Sequence, residues 1–259
     1  MEIFMKKVLT AALLCAVSAF ATWDYFPIKP AGKGEVKIGP EFFLKGDLTE
    51  IGINARARFS VIEGLEIAAL LTGEGGGFKI MSSNDGNDTE ITGLQQPVIG
   101  LRYWLPMGLG IFVDVGLPVS GEKFEGATQL NFKPGVQFST KFTEELALGS
   151  EVGVLINMEN GDTKITPGME LDLGVELDYT IGSITPFVAV NVLTGLTKPQ
   201  FNGNDAGDAA ELGIVPSVGV IFAINEMLAA DASVAFGIGE DRYGDDMPIT
   251  INANIAVSF

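Results

Sequence analysis

The chain contains no histidine, and its one cysteine is Cys15. Ser-His-Asp and Cys-His machinery needs an imidazole base, and zinc sites of the common kinds need imidazole or thiolate ligands. The sequence therefore points to no catalytic residue, no metal centre and no cofactor, and the chain reads as a non-enzyme. Carboxylates remain. Glu170 and Asp172 are two apart, which puts both on one face of a strand, and a carboxylate pair can hydrolyse glycosides. The plainer reading is charge lining a strand. The stretch Asn202-Gly203-Asn204-Asp205-Ala206-Gly207-Asp208 offers oxygen ligands, but an EF-hand needs a Glu at its twelfth position, where Gly213 stands. It reads as a solvated loop, with loose divalent-cation binding as the alternative. Gly32-Lys33-Gly34 and Gly73 to Gly77 lack the Lys-Ser/Thr of a phosphate loop.

The charges with the most ordered setting are those that alternate with apolar residues. Arg56 and Arg58 separate Ala55, Ala57 and Phe59. Arg102 stands between Leu101 and Tyr103, and Lys133 follows Phe132. Glu170, Asp172, Glu176 and Asp178 interleave with Leu171, Leu173, Val175, Leu177 and Tyr179. Period-two alternation is the signature of strands with one apolar and one polar face. The same pattern runs through 109–117, 184–193, 212–222 and 249–258.

Composition says what the apolar faces are for. The net charge is −17 and the pI about 4.3, yet mean hydropathy is +0.32. Acidic chains that hydrophobic use apolar residues for more than a core, and lipid contact is one such use. The acidity also argues against nucleic acid, whose phosphates need Lys and Arg. Met5-Lys6-Lys7, the apolar run to Phe20 and the small-x-small Ala19-Phe20-Ala21 read as a secretory signal peptide over 1–21. Its removal would take Cys15 with it and leave no thiol, so disulfides are not the source of stability. No later apolar run approaches the ~18 residues a membrane helix needs, and a closed β-barrel is the other structure that pairs every backbone group in lipid.

Six apolar faces end on an aromatic: Phe59, Tyr103, Phe138, Tyr179, Phe222 and Phe259, about 40 residues apart, the length of two strands and two connections. Such a series is expected of an interfacial aromatic girdle. Between them, short connections (Glu63-Gly64, Pro106 to Gly108, Gly182-Ser183) alternate with mostly longer, Gly-, Asn- and Asp-rich ones, such as 73–92, 118–127 and 194–208. The expected fold is all-β: a transmembrane antiparallel up-and-down barrel of about 12 strands over 34–259, after a periplasmic segment 22–33, with both termini periplasmic. A soluble barrel also alternates, but its apolar face points inward.

The last strand, Ile249 to Ser258, runs straight to the terminal Phe259. This ending resembles the closing strand of Gram-negative outer-membrane β-barrel proteins, and the whole pattern is similar to the small channel-like barrels among them. The resemblance implies outer-membrane lipid and lipopolysaccharide as surroundings, a barrel-insertion machinery that reads the strand ending in Phe259, and small solutes as cargo. It leaves the oligomeric state open.

Aligning the strands on their terminal aromatics places Arg56, Arg58, Arg102 and Lys133 on one side of the lumen. It places Glu170, Asp172, Glu176 and Asp178 on the other, six strands away. Two readings stay open. The charges set a transverse field across a narrow wet pore that selects small polar or zwitterionic solutes, or they form salt bridges that brace a non-conducting, structural or surface-interacting barrel.

Overall fold

The protein is described here from a computed structural model covering residues 25–73, 75–84, 87–89, 93–119 and 129–259; the expected signal peptide lies outside them. The strands are β1 (Gly34–Lys45), β2 (Leu48–Ile62), β3 (Leu65–Leu71), β4 (Phe78–Asn84), β5 (Asn87–Thr89), β6 (Gly93–Leu94), β7 (Val98–Leu105), β8 (Leu109–Gly116) and β9 (Asn131–Lys141), followed by β10 (Leu146–Asn157), β11 (Ile165–Thr166), β12 (Glu170–Tyr179), β13 (Ile184–Gly195), β14 (Gln200–Phe201), β15 (Asn204–Asp205), β16 (Gly213–Ala223), β17 (Leu228–Phe236) and β18 (Ile249–Ser258). One short helix, α1 (Glu240–Tyr243), sits in the last long connection.

Twelve of these strands close into an antiparallel barrel in the order β1-β2-β3-β7-β8-β9-β10-β12-β13-β16-β17-β18, with β18 paired back to β1. Closure leaves no unpaired edge, which is what lipid demands. The seam is fastened at the chain end, where Gly34 N donates to Phe259 O at 2.9 Å and Phe259 N donates to Gly34 O at 3.0 Å. Gly34 is required there, because a Cβ would sit 2.6 Å from Phe259 Cζ.

Burial is inverted relative to a soluble barrel. The side chains most completely buried are Arg102, Gln137, Glu66, Asn54 and Ser60, while Ile38, Ile111, Val188 and Val218 are about half exposed on the outer surface. Alternation along each strand sends apolar residues out and polar residues in. This decides between the two barrel types that alternation alone allows. The six aromatics all lie on the outside near the short-turn end of the barrel, each 42–53% exposed. Among the described residues, no helix is long and apolar enough to cross a membrane.

One region departs from the sequence reading. Residues 73–92 were expected to form a single loop, but they contain β4, which pairs with β2 at Thr49–Ile53 while β3 pairs with β2 at Ala55–Ile62. The wall position started by β3 is thus resumed by β4. Between them the chain leaves the wall and tucks inside the barrel. Gly76 N donates to Glu41 Oε1 at 3.3 Å and Gly77 N donates to Asn54 Oδ1 at 3.0 Å. Gly75 and Gly76 make the excursion possible with φ of 71° and 93°, a region costly for side chains with a Cβ. Phe78 and Ile80 then resume the outer apolar face, being 37% and 41% exposed. Two-residue β11, β14 and β15 form a small separate sheet among the long connections.

Candidate functional site

Among the described residues, strand alternation turns polar side chains such as Arg102, Gln137 and Glu66 toward the lumen, so the candidate site is its wall. Arg102 on β7 is 2% exposed. Its Nη2 donates to Glu66 Oε1 on adjacent β3 at 2.9 Å and its Nη1 to Gln137 Oε1 on β9 at 3.0 Å. Gln137 Nε2 donates to Glu151 Oε2 on β10 at 3.0 Å. Lys133 on β9 completes the run, 3.4 Å from Glu151 Oε1 and in direct contact with Asp172 Oδ2 on β12. Glu66, Arg102, Gln137, Glu151, Lys133 and Asp172 therefore form one belt of alternating charge and amide spanning β3 to β12.

A second cluster lies around the seam. Arg58 Nη2 is 3.2 Å from Glu35 Oε1, and Lys29 Nζ is 2.7 Å from Glu35 Oε2. Lys37 reaches Asp231 on β17 at 2.9 Å, and Asp231 accepts from Asn254 at 2.7 Å. Glu41 and Asp231 are the carboxylates whose charge acts on Arg56. Asn54, 1% exposed, donates to Glu41 Oε2 at 2.7 Å and to Asn252 Oδ1 at 3.0 Å. Nearer the long connections, Arg242 of α1 is 2.7 Å from Glu170, and Lys79 is 2.8 Å from Glu50.

Strand order places β2 and β12 six apart in the closed barrel, yet the described ion pairs between strands all join strands one or two apart. Of the eight charged lumen residues named from the sequence, the described ion pairs bring together Lys133 and Asp172. Arg58 binds Glu35, Arg102 binds Glu66, and Glu170 binds Arg242. The partners missed were Arg242 on α1 and, on the returning strands, Glu35, Glu41, Glu66, Glu151 and Asp231. For the carboxylates the signal was present: each occupies the polar phase of its own alternation. Aligning only the strands that end on aromatics left half of the wall unread.

The lumenal glycines do not simply leave space. A Cβ on Gly110 would sit 2.6 Å from Trp104 Cζ3, and one on Gly219 would sit 2.6 Å from Phe187 Cε1. A Cβ on Gly135 would sit 2.5 Å from Phe112 Cε1, and one on Gly153 would sit 2.7 Å from Lys133 Cε. Each glycine is a socket for a larger side chain of a neighbouring strand.

Two sockets are filled differently. The segment expected from sequence to be a periplasmic stretch over 22–33 is described from Tyr25 onward, and the Tyr25 side chain enters the lumen. A Cβ on Gly149 would meet Tyr25 Cβ at 2.6 Å, and one on Gly174 would meet Tyr25 Cε1 at 2.5 Å. The Tyr25 hydroxyl donates to Asn191 Oδ1 at 2.6 Å. Gly174 and Asn191 are register partners on β12 and β13, so acceptor and socket adjoin. Burial, then the charges of Glu151, Asp172 and Glu176, push the Tyr25 hydroxyl well above the usual phenol range; it stays protonated and can donate. Phe26 and Pro27 follow at the short-turn end, where a cavity of about 300 Å³ lies against Trp104, Pro106 and Ser139.

Comparison with known proteins agrees with this geometry. The barrel is similar to an outer membrane channel from Pseudomonas putida F1, with a TM-score of 0.68 at 12% identity over 92% of this chain and 99% of that one. It is similar to the NanC porin, with a TM-score of 0.58 at 8% identity over 86% and 98%. It is also similar to the translocator domain of the autotransporter NalP from Neisseria meningitidis, with a TM-score of 0.52 at 10% identity over 100% and 98%. The fold is thus that of the outer-membrane β-barrels. Residues 39–244 match the model of one family, and the chain belongs to it: the family described as "Putative MetA-pathway of phenol degradation". No curated protein of similar sequence matches the chain.

Proposed function

We propose that the protein resides in the outer membrane, with both termini periplasmic, as a passive channel for small solutes. The observation that carries this reading is the lateral pairing of the lumenal charges. Buried charges must be compensated, and here compensation runs along the wall, so neutralising the lumen does not require bridges across its axis. Arg102, Gln137 and Glu151 are buried in that pairing, so the belt acts on a solute through the field of the wall rather than by direct contact. The family's description names phenol degradation, which makes aromatic compounds a class of solute to test beside small polar ones.

Refolded protein in planar bilayers should conduct, and Arg56→Ala with Arg58→Ala should shift its ion selectivity toward cations by removing two positive charges from the wall. Absence of conductance in both the wild type and Tyr25→Ala would overturn the channel.

A second reading has its own observation. With Tyr25 seated on Gly149 and Gly174, the lumen holds part of the chain, as expected of a braced, non-conducting barrel that works through its surface. Under it, Tyr25→Ala leaves conductance at the wild-type level of zero.

The strand that ends in Phe259 serves as the signal for the barrel-insertion machinery, and the aromatic series from Phe59 to Phe259 sets the depth in lipid. Neither role involves a cofactor, a metal or nucleic acid.

A further inference from the structure

Tyr25 is a phenol held in a cradle that the barrel wall builds. Its ring lies against Gly174 on β12 and its Cβ and backbone against Gly149 on β10, and a Cβ on either glycine would collide with it. Its hydroxyl finds an acceptor placed at hydrogen-bonding distance, Asn191 Oδ1 at 2.6 Å. A ring slot ending in a single polar acceptor is the minimal recognition site for a phenol.

The occupant is unlike those of the other sockets. Trp104, Phe112 and Phe187, which fill Gly110, Gly135 and Gly219, are strand residues fixed by the barrel ladder. Tyr25 belongs to a segment outside the ladder. Polar ties that hold that segment, besides the hydroxyl, include Lys29 to Glu35 at 2.7 Å, Lys29 N to Glu66 Oε2 at 3.4 Å, and the backbone bonds of Gly32 and Lys33 next to β1. Withdrawing Tyr25 breaks no inter-strand hydrogen bond.

We propose that the Gly149–Gly174–Asn191 cradle is a binding site for small neutral phenols, and that Tyr25 is its tethered, exchangeable occupant. The inference deepens the channel reading and rests on it for the route by which a phenol arrives. The ligand is a single ring with its hydroxyl toward Asn191 and any para substituent along the direction now taken by the Tyr25 Cβ. Three carboxylates, Glu151, Asp172 and Glu176, act on this hydroxyl. They repel a phenolate, so the site takes phenols that are protonated at the working pH and rejects those already ionised. Arene hydrocarbons fill the slot but leave Asn191 without its donor, and a site built around a hydroxyl discriminates strongly against analogues that lack it.

Binding decides the matter without any flux measurement. The purified full chain, refolded in detergent and checked by heat-modifiable gel migration, is titrated with p-cresol, toluene and ionised p-nitrophenol by ligand-observed NMR. The expected result is p-cresol binding, with toluene weaker by about tenfold or more and no binding of the nitrophenolate. Tyr25→Ala removes the internal competitor, so p-cresol should bind more tightly by about tenfold or more. Adding Asn191→Leu to Tyr25→Ala should erase the preference for p-cresol over toluene, and adding Gly174→Ala instead should weaken both. Equal p-cresol affinity in the wild type and Tyr25→Ala overturns the exchange. Equal affinity for p-cresol and toluene in Tyr25→Ala overturns the phenol site. Either failure leaves the channel standing, because conductance is measured separately, and a silent channel with intact binding identifies the opposite failure.

Discussion

Lys133→Met gives the sharpest test of the belt. Lys133 is 2% exposed and lies between Glu151, 4% exposed, and Asp172, 6% exposed. The other Asp172 oxygen, Oδ1, accepts no hydrogen bond among the described residues, so its charge is compensated chiefly through Lys133. Methionine keeps the stem volume and deletes the cation. Two carboxylates that shared one ammonium then stand roughly 6 Å apart, repelling by about 3 kcal/mol at an effective dielectric constant of ~20. Removing one member of a buried pair costs about 3–5 kcal/mol in general, and the two figures agree in size. The assay is urea unfolding of the refolded barrel in lipid vesicles, followed by heat-modifiable migration. Lys133→Met should lose about 3–5 kcal/mol. The double variant with Asp172→Asn should recover at least half of that loss, because Glu151 then keeps its Gln137 donor at 3.0 Å with no like charge beside it. A loss below ~1 kcal/mol, or a double variant no more stable than the single, would show that the three groups are not coupled and refute the belt.

Asn54→Leu should cost about 2–3 kcal/mol in the same assay, since it strips donors from Glu41 and Asn252 and the acceptor from Gly77 N. Glu170→Gln weakens the anchor of α1 on Arg242, and amide exchange at 239–247 should quicken while the strands stay protected. Gly174→Ala introduces a Cβ where the Tyr25 ring lies, so a cysteine placed at Ile28 should react with a thiol reagent several-fold faster than in the parent. Phe259→Ala should lower the yield of inserted barrel in cells with little change in the stability of what does insert, because the Gly34 backbone bonds at the seam survive; unchanged yield refutes the signal role.

How much of this was legible in the sequence follows from what alternation encodes. Period two gives the face of every residue, so strand positions, strand number and the turn-end aromatics could be read from residues such as Ile184, Val188 and Tyr179. It does not give lateral neighbours. Register decides that Lys133 stands near Asp172 and that Arg58 faces Glu35, and register is fixed by the whole closed ladder rather than by any one strand. The roles of Gly149 and Gly174 were hidden for a related reason. A lumenal glycine marks a gap in one strand, and only the fold says which side chain enters it. Tyr25 carried no signal of its own, because it stands before the first alternating run. The excursion between β3 and β4 was concealed because Gly73 to Gly77 looks like any exposed loop until Asn54 is found holding it inside.

That excursion has a consequence for how such a barrel can diversify. β3 and β4 each pair with β2, and their registers are set by β2 rather than by the residues between them. Provided Gly75 and Gly76 keep the conformation that needs glycine, the inward stretch can therefore lengthen or shorten without shifting any strand against its neighbour. Lumen calibre and wall integrity are inherited as separate traits, and a lineage can vary the first by small insertions and deletions between Leu71 and Phe78 while the second stays constant.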